Sequence, residues 1–130
     1  MYQITRKNRI KEQLQLCHAN GDVALQVEVD INVDQMGARI KKAYDALGEA
    51  QNKLKDGQDA EALEAYGKAV CLLLETVFGP ENAAKIIEFY EASYSELLLD
   101  LCPFLQDEIL PKVREASAAR KQQLLAMARR

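Results

Sequence analysis

The chain has 130 residues, 48% of them apolar and 28% charged, and a net charge of −3. These values are typical of one folded domain over 1–130 and exclude an intrinsically disordered chain. No apolar run reaches the ~18 residues that a membrane-spanning helix needs, and the N-terminus lacks the apolar segment of a secretory signal, so we expect a cytoplasmic protein.

The three cysteines, Cys17, Cys71 and Cys102, are widely spaced and form no C-x-x-C motif. An odd number without a motif argues against a disulfide framework and suits a reducing compartment. Cys71 and Cys102 are predicted to be buried thiols that pack as small hydrophobic groups.

Charge is distributed unevenly along the chain. Residues 1–11 carry four basic side chains and no acidic one, and residues 112–130 carry six basic and one acidic. Residues 12–111 carry seven basic and nineteen acidic side chains, which gives this middle part a net charge of −12. Basic ends can attract an acidic body within the chain or between copies. The alternative is that these charges form ordinary solvated faces.

Residues 9–33 are predicted to form a β-hairpin. Asn20-Gly21 is typical of a two-residue type I′ turn, in which both residues have positive φ. Counting outward from this turn places Cys17 opposite Ala24. One face of the ribbon is then apolar except for Glu12, which lies beside Val29, and the other carries matched polar pairs, as a half-buried ribbon requires. The apolar residues are Ile10, Leu14, Leu16, Leu25, Val27, Val29 and Ile31.

The alternation continues toward the N-terminus. There, Tyr2 and Ile4 predict an extension of the first strand past a kink at Lys7-Asn8. A two-stranded ribbon is marginally stable alone and leaves two edges unpaired. We therefore expect it to pack on helices, with edges that can pair with a second copy or a partner.

A bundle of about four helices is predicted over 34–130, which makes the fold class α+β. The first helix runs from its N-cap, Asp34, to Lys55, the second from its N-cap, Asp59, to Phe78, and the third from Pro80 to Leu101. The first helix has one apolar stripe, formed by Met36, Ile40, Ala43, Leu47, Ala50 and Leu54. The principal stripe of the second consists of Leu63, Tyr66, Val70, Leu73 and Val77.

The second helix is predicted to be the centre of the fold. Its segment Ala69–Phe78, AVCLLLETVF, holds one charged residue, Glu75, and is apolar nearly all round. Such a helix has to be covered from more than one side. We expect Glu75 to reach solvent at the helix edge.

Prolines interrupt the last third of the chain. Cys102-Pro103 predicts a helix boundary, because the residue before a proline avoids helical dihedrals. Pro111 then predicts either a short helix over 104–110 followed by a new one, or a single kinked helix. A break within 102–111 is the favoured interpretation.

The C-terminal turns are basic and carry too few apolar residues to be held by the core of their own chain alone. Such a helix favours a partner helix or groove over nucleic acid or a membrane, and a plain solvated tail is the alternative. The candidate partner-binding residues are Arg120, Lys121, Leu124, Leu125, Arg129 and Arg130.

No residue pattern predicts catalysis, a metal or another cofactor. His18 adjoins Cys17, but neighbouring residues of a strand point to opposite faces, and no second ligand pair has zinc spacing. The carboxylates of Glu28 and Asp30 are explained by pairing across the hairpin. We therefore expect a protein that is not an enzyme and that binds no small-molecule substrate.

A short segment resembles the tetratricopeptide pattern. Tyr44-x-x-Leu47-Gly48 is followed by Ala62-x-x-x-Tyr66 and Ala69, with about two extra residues between the helices. The closing proline of that pattern is absent and no second copy follows, so the resemblance indicates helix-hairpin packing.

A broader resemblance covers most of the chain. The succession EVDINVD, KAYDALGEAQ, YGKAV, VFG, EFYE and LPKVREASAARKQQL resembles a family of small, uncharacterised proteins of tailed phages and prophages of Gram-positive bacteria. The resemblance implies a protein of the host bacterial cytoplasm with no known active site. Proteins of this size in phage structural gene clusters include tail-assembly chaperones, which coat the tape-measure protein while the tail tube polymerises.

The sequence therefore predicts a non-catalytic phage or prophage structural or assembly protein that acts through protein–protein contacts. Self-association, and binding to a phage tail component, are the expected interactions. The alternatives are a nucleic-acid-binding regulator, against which a pI near 5.2 argues, and a single-repeat helical adaptor.

Overall fold

A computed structural model of the chain describes residues 1–5, 9–57 and 59–129. An N-terminal antiparallel hairpin is followed by a helical bundle, so the predicted α+β fold is confirmed. Residues 1–5 lie in no strand and are exposed, so the predicted extension of the first strand by Tyr2 and Ile4 is wrong. The predicted kink at Lys7-Asn8 lies outside the described residues.

The hairpin consists of β1 (Ile10–Cys17) and β2 (Val23–Ile31). From Ile10 to Leu16 every residue has the partner counted from the sequence. The predicted apolar face is turned toward the helices, where its most buried residues are Leu16, Val27, Val29 and Ile31. This register is well determined because a shift by one residue would exchange the two faces.

The turn of the hairpin differs from the predicted two-residue type. The His18 N–H donates to the Asp22 carbonyl oxygen, and the Gly21 N–H donates to the His18 carbonyl oxygen, both at 2.9 Å. Gly21 has a φ of +93°, whereas Asn20 is not among the described residues with positive φ. The loop is therefore the three-residue kind, in which a type I turn is closed by a left-handed glycine.

A bulge compensates for this loop. Cys17 lies opposite Val23 and not opposite the predicted Ala24, whereas Leu16 lies opposite Leu25. One extra residue of β2 is thus taken up between these two pairs. The bulge restores the predicted register for the rest of the ribbon, which is why an incorrect turn type still led to the correct face.

Helices make up the rest of the described chain. They are α1 (Val33–Asp56), α2 (Ala60–Phe78), α3 (Pro80–Phe89), α4 (Tyr94–Pro103) and α5 (Leu110–Ala128). A π-helical segment, Phe104–Ile109, joins α4 to α5 without a break. We call the continuous helix Tyr94–Ala128 the C-terminal run, and with it the bundle has four helical rods.

The two predicted N-caps have different outcomes. The Asp59 carboxylate accepts a hydrogen bond from the Ala62 N–H at 2.7 Å, so this cap of α2 is confirmed. The predicted cap of α1 is wrong, because Asn32 occupies the N-cap position without a side-chain hydrogen bond. Asp34 lies in the first turn of α1, where its carboxylate pairs with Arg120.

The predicted third helix, Pro80–Leu101, is also wrong, because the chain turns between α3 and α4. Glu91 and Ala92 have φ values of 52° and 59°, in the left-handed region. The Ala92 N–H donates to the Ile87 carbonyl oxygen at 3.0 Å, which closes the end of α3. Left-handed non-glycine residues cost roughly 1–2 kcal/mol each. The turn offsets this cost by letting both helices bury apolar side chains.

The favoured break at 102–111 does not occur. Pro103 has helical dihedrals, with φ −58° and ψ −42°, and the Leu110 N–H donates to the Leu105 carbonyl oxygen in the wider π pattern. A local π turn is a known way to accommodate a disturbed helical hydrogen-bond ladder such as the one that Pro111 imposes. Burial of one continuous stripe favours the unbroken helix. The stripe consists of Leu97, Leu101, Leu105, Ile109, Leu110 and Val113.

α2 is the central helix, as predicted, since it contacts β2, α1, α3 and α4. Glu75 is exposed at its edge, also as predicted, whereas Leu63 is exposed and does not belong to the buried stripe. Its buried residues include Tyr66, Ala69, Val70, Leu73, Leu74, Val77 and Phe78. None of the helices in the described ranges is long and apolar enough to cross a membrane.

Candidate protein-interaction site

A groove lies between the start of α1 and the C-terminal half of α5. We call it the terminal groove; its volume is about 500 Å³. It is lined by Val33, Asp34, Ala38, Ser117, Arg120, Lys121, Leu124 and Leu125.

Three contacts position α5 against α1 beside the groove. A Cβ atom on Gly37 would lie 3.1 Å from the Ser117 Oγ, so the missing side chain of this glycine permits the close approach of the two helices. Val113 is fully buried one turn earlier. Arg120 pairs with Asp34 at the groove itself. The helices are thus held together up to Arg120.

Beyond Arg120 the helix is not covered. Every described residue from 121 to 129 is exposed. Leu124 and Leu125 are 59% and 48% exposed, and Met127 is 64% exposed. Adjacent large apolar side chains left in solvent next to a groove are typical of a docking surface for another protein.

The rim of this surface is basic. Arg120 is neutralised by its ion pair with Asp34, and Lys112 pairs with Glu12 and lies 3.5 Å from Glu108. Part of the predicted attraction between the basic end and the acidic body is therefore satisfied within one chain. Lys121 and Arg129 form no ion pair with any described residue.

The predicted partner-binding residues fall into three groups. The structure brings Arg120, Lys121, Leu124 and Leu125 together in the terminal groove. Arg129 follows the last turn of α5 and does not line the groove. Arg130 lies outside the described residues.

Sequence reasoning missed the α1 side of the groove, where Val33 and Ala38 contribute apolar surface. The available signal was Gly37, since a glycine inside a helical pattern often marks a close helix approach. The sequence did not indicate which helix approaches it.

A second groove, of about 560 Å³, lies at the tip of the hairpin. It is more polar than the terminal groove and includes Glu91, one of the two residues with positive φ in the turn between α3 and α4. Its lining consists of Gln15, Leu16, Cys17, His18, Ala19, Phe89, Tyr90, Glu91, Ser93, Glu96 and Asp100.

Polar groups of this second groove bond to each other and link the end of α3 to α4. The Tyr90 hydroxyl donates to the Asp100 carboxylate at 2.9 Å. Burial, followed by this hydrogen bond, raises the pKa of Tyr90 well above its ordinary value, so the phenol stays protonated. The His18 ring lies 5.7 Å from the Phe89 ring, centroid to centroid.

The second groove does not assemble a recognisable reactive site. His18 is exposed and makes no side-chain hydrogen bond to a carboxylate or to Cys17 in the part of the chain that is described. No group of three or more His, Cys, Asp or Glu side chains among the described residues could hold a metal ion.

The thiols predicted to be buried are only half-buried. Cys71 and Cys102 are both intermediate in exposure, and Cys17 is exposed. The Cys71 Sγ lies 3.8 Å from the Tyr94 hydroxyl oxygen, and this contact raises the pKa of Tyr94. Cys71 is not fully buried because it faces Tyr94 at the start of α4, at the edge of the core.

Comparisons of the chain with protein-family models, with curated proteins and with solved structures found no match.

Proposed function

We propose that this protein is a non-catalytic assembly protein that acts through protein–protein contacts at the terminal groove. The observation that carries the proposal is the exposed leucine pair, Leu124 and Leu125, which forms one wall of a groove with an apolar floor from α1. Apolar anchors of this kind are what an amphipathic helix uses when it binds a groove.

The charges at the groove define the chemistry of the partner. Lys121 at the groove and Arg129 beyond its lining add positive charge, and neither forms an ion pair with a described acidic residue. Asp34 in the groove is offset by its pair with Arg120. An acidic amphipathic helix would therefore match both the apolar wall and the positive charge of Lys121 and Arg129.

The resemblance to small tailed-phage and prophage proteins adds the biological setting. Tail-assembly chaperones coat the tape-measure protein while the tail tube polymerises, and a groove that accepts an amphipathic helix suits that task. The proposed role is therefore that of a tail-assembly chaperone. The phage setting rests on the sequence resemblance, and the contact surface rests on the groove.

Co-expression with the tape-measure protein of the same phage or prophage tests the proposal. We expect the two proteins to co-elute from a sizing column and the tape-measure protein to stay soluble. The Leu124→Asp/Leu125→Asp double variant should abolish both effects, because two charges on the apolar wall prevent docking.

A matched control is available on α2. Leu63 and Leu72 are 49% and 50% exposed, which is similar to the exposure of the two leucines of the groove. The Leu63→Asp/Leu72→Asp variant should keep the tape-measure protein soluble. If the wild-type protein forms no complex, or if the two variants behave alike, the proposal is wrong.

A further inference from the structure

A second exposed apolar group lies on α4, on a face that borders the second groove at Glu96 and Asp100. Leu99 is 77% exposed, more than any other leucine of the described chain. It lies among acidic residues at helical spacing, so that one stripe of the C-terminal run is both apolar and negative. This acidic stripe consists of Glu96, Leu99, Asp100, Pro103 and Asp107, all exposed.

The acidic stripe is complementary to the free end of α5. That end presents Leu124 and Leu125 between Lys121 and Arg129, which are two helical turns apart. Each surface has an apolar centre with charged residues on its rim, and the two rims have opposite sign. Opposite charges around an apolar centre direct association and fix its register.

The two surfaces cannot meet within one chain. Leu99 and Leu124 belong to the same unbroken helical run. Their separation along the helical path is roughly 38 Å at about 1.5 Å per residue. Any contact between them is therefore made by two different copies.

We propose that the occupant of the terminal groove is the acidic stripe of a second copy of this chain. The inference rests on the proposed function of the groove as a docking site. It goes further, because it names what occupies the groove when no tail protein is bound. The contact joins two different surfaces and leaves one of each free on every pair. Such a heterologous contact continues to further copies and produces either a closed ring or an open filament.

Charge reversal tests the contact at exposed positions. The Lys121→Glu/Arg129→Glu variant makes the free end acidic, and the Glu96→Lys/Asp107→Lys variant makes the stripe basic. These four side chains make no hydrogen bond or ion pair in the described part of the chain. Asp100 is left unchanged because it accepts the hydrogen bond from Tyr90.

Sedimentation velocity at low salt gives the readout, with circular dichroism as the check on folding. Wild-type protein should form assemblies larger than a dimer that dissociate as the salt concentration rises. Each charge variant alone should associate at least about tenfold more weakly, because like charges then face each other. A 1:1 mixture of the two variants should regain assembly, since each copy then offers a surface that the other can bind.

Two further variants complete the test. Leu99→Asp should dissociate the assemblies, because it places a charge at the centre of the contact. Lys53→Glu/Lys85→Glu changes the net charge by the same amount as the α5 variant, at exposed positions on α1 and α3, and should assemble normally.

The possible failures are distinguishable from those of the proposed function. A wild-type protein that stays monomeric at low salt, or a mixture that does not regain assembly, overturns the assignment of a second copy as the occupant. If the tape-measure protein is still kept soluble through Leu124 and Leu125 in that case, the proposed function stands and the groove is reserved for the tail component.

Discussion

At the scale of single residues, the most unusual feature is the pair of left-handed residues between α3 and α4. Glu91 and Ala92 both have positive φ, although neither is a glycine. The neighbouring Tyr90 is buried and donates to Asp100 on the next helix, so tertiary contacts fix the turn. Local strain of this kind persists only where the surrounding structure requires it.

Replacing Ala92 by glycine should relieve part of this strain. We expect Ala92→Gly to raise the free energy of unfolding by about 0.5–1 kcal/mol, because the strain relief exceeds the cost of the greater backbone entropy that glycine gives to the unfolded chain. The same substitution at Ala84, which is exposed within α3, should lower it by about 1 kcal/mol. Urea denaturation of both variants checks the opposite signs, and a loss of stability in both would refute the interpretation.

Residue patterns predicted some of these local features and missed others, for identifiable reasons. Asp59 was recognisable as a cap because its side chain needs only the local backbone. The turn at Glu91 has no glycine or proline to mark it, and it forms because packing demands it. Pro103 and Pro111 mark a break that packing overrides.

At the scale of elements, the hairpin shows how a register survives an irregular turn. The three-residue loop shifts the pairs nearest to it by one residue, and the bulge around Ala24 reverses that shift. From Ile10 to Leu16 the alternating pattern of apolar residues was sufficient to predict the pairing. The turn type was not predictable, because Asn20-Gly21 suits both loop lengths.

Two single-residue deletions in β2 distinguish the bulge from the regular ladder. Deletion of Ala24 should cost less than about 1 kcal/mol, because it removes the extra residue and leaves the other pairs intact. Deletion of Glu28 should cost at least about 3 kcal/mol, because it turns at least two apolar side chains of β2 toward solvent.

Chemical denaturation monitored by far-ultraviolet circular dichroism measures both effects. Similar losses of stability in the two deletions would mean that the bulge is itself required for the fold.

At the scale of the whole molecule, one apolar core holds the hairpin and the helices together, and the C-terminal half of α5 lies beyond it. The sequence predicted this division, because the C-terminal turns are basic and carry few apolar residues. It did not predict the groove, because the packing of α1 against α5 depends on the path of the C-terminal run. That path follows from the unbroken helix at Pro111.

Truncation of the chain after Ala119 separates folding from association. The free energy of unfolding should change by less than about 1 kcal/mol, since the residues removed are largely exposed and the Arg120–Asp34 pair is a surface pair. The proposed self-association and the proposed binding of the tape-measure protein should both be lost. Thermal denaturation and light scattering measure the two properties, and a loss of several kcal/mol would show that this end supports the core.

The unbroken C-terminal run also affects the thermodynamics of recognition. An isolated peptide of nine residues is too short to form a stable helix in water. Here the segment 121–129 extends a helix whose earlier turns are anchored by buried leucines. Its backbone is preorganised, so binding of the proposed partner avoids much of the conformational entropy loss, about 1–2 kcal/mol per residue, that this segment would suffer if it folded on binding. Substituting glycine at an exposed position between the core and the free end should therefore weaken binding even though the substituted residue touches no partner.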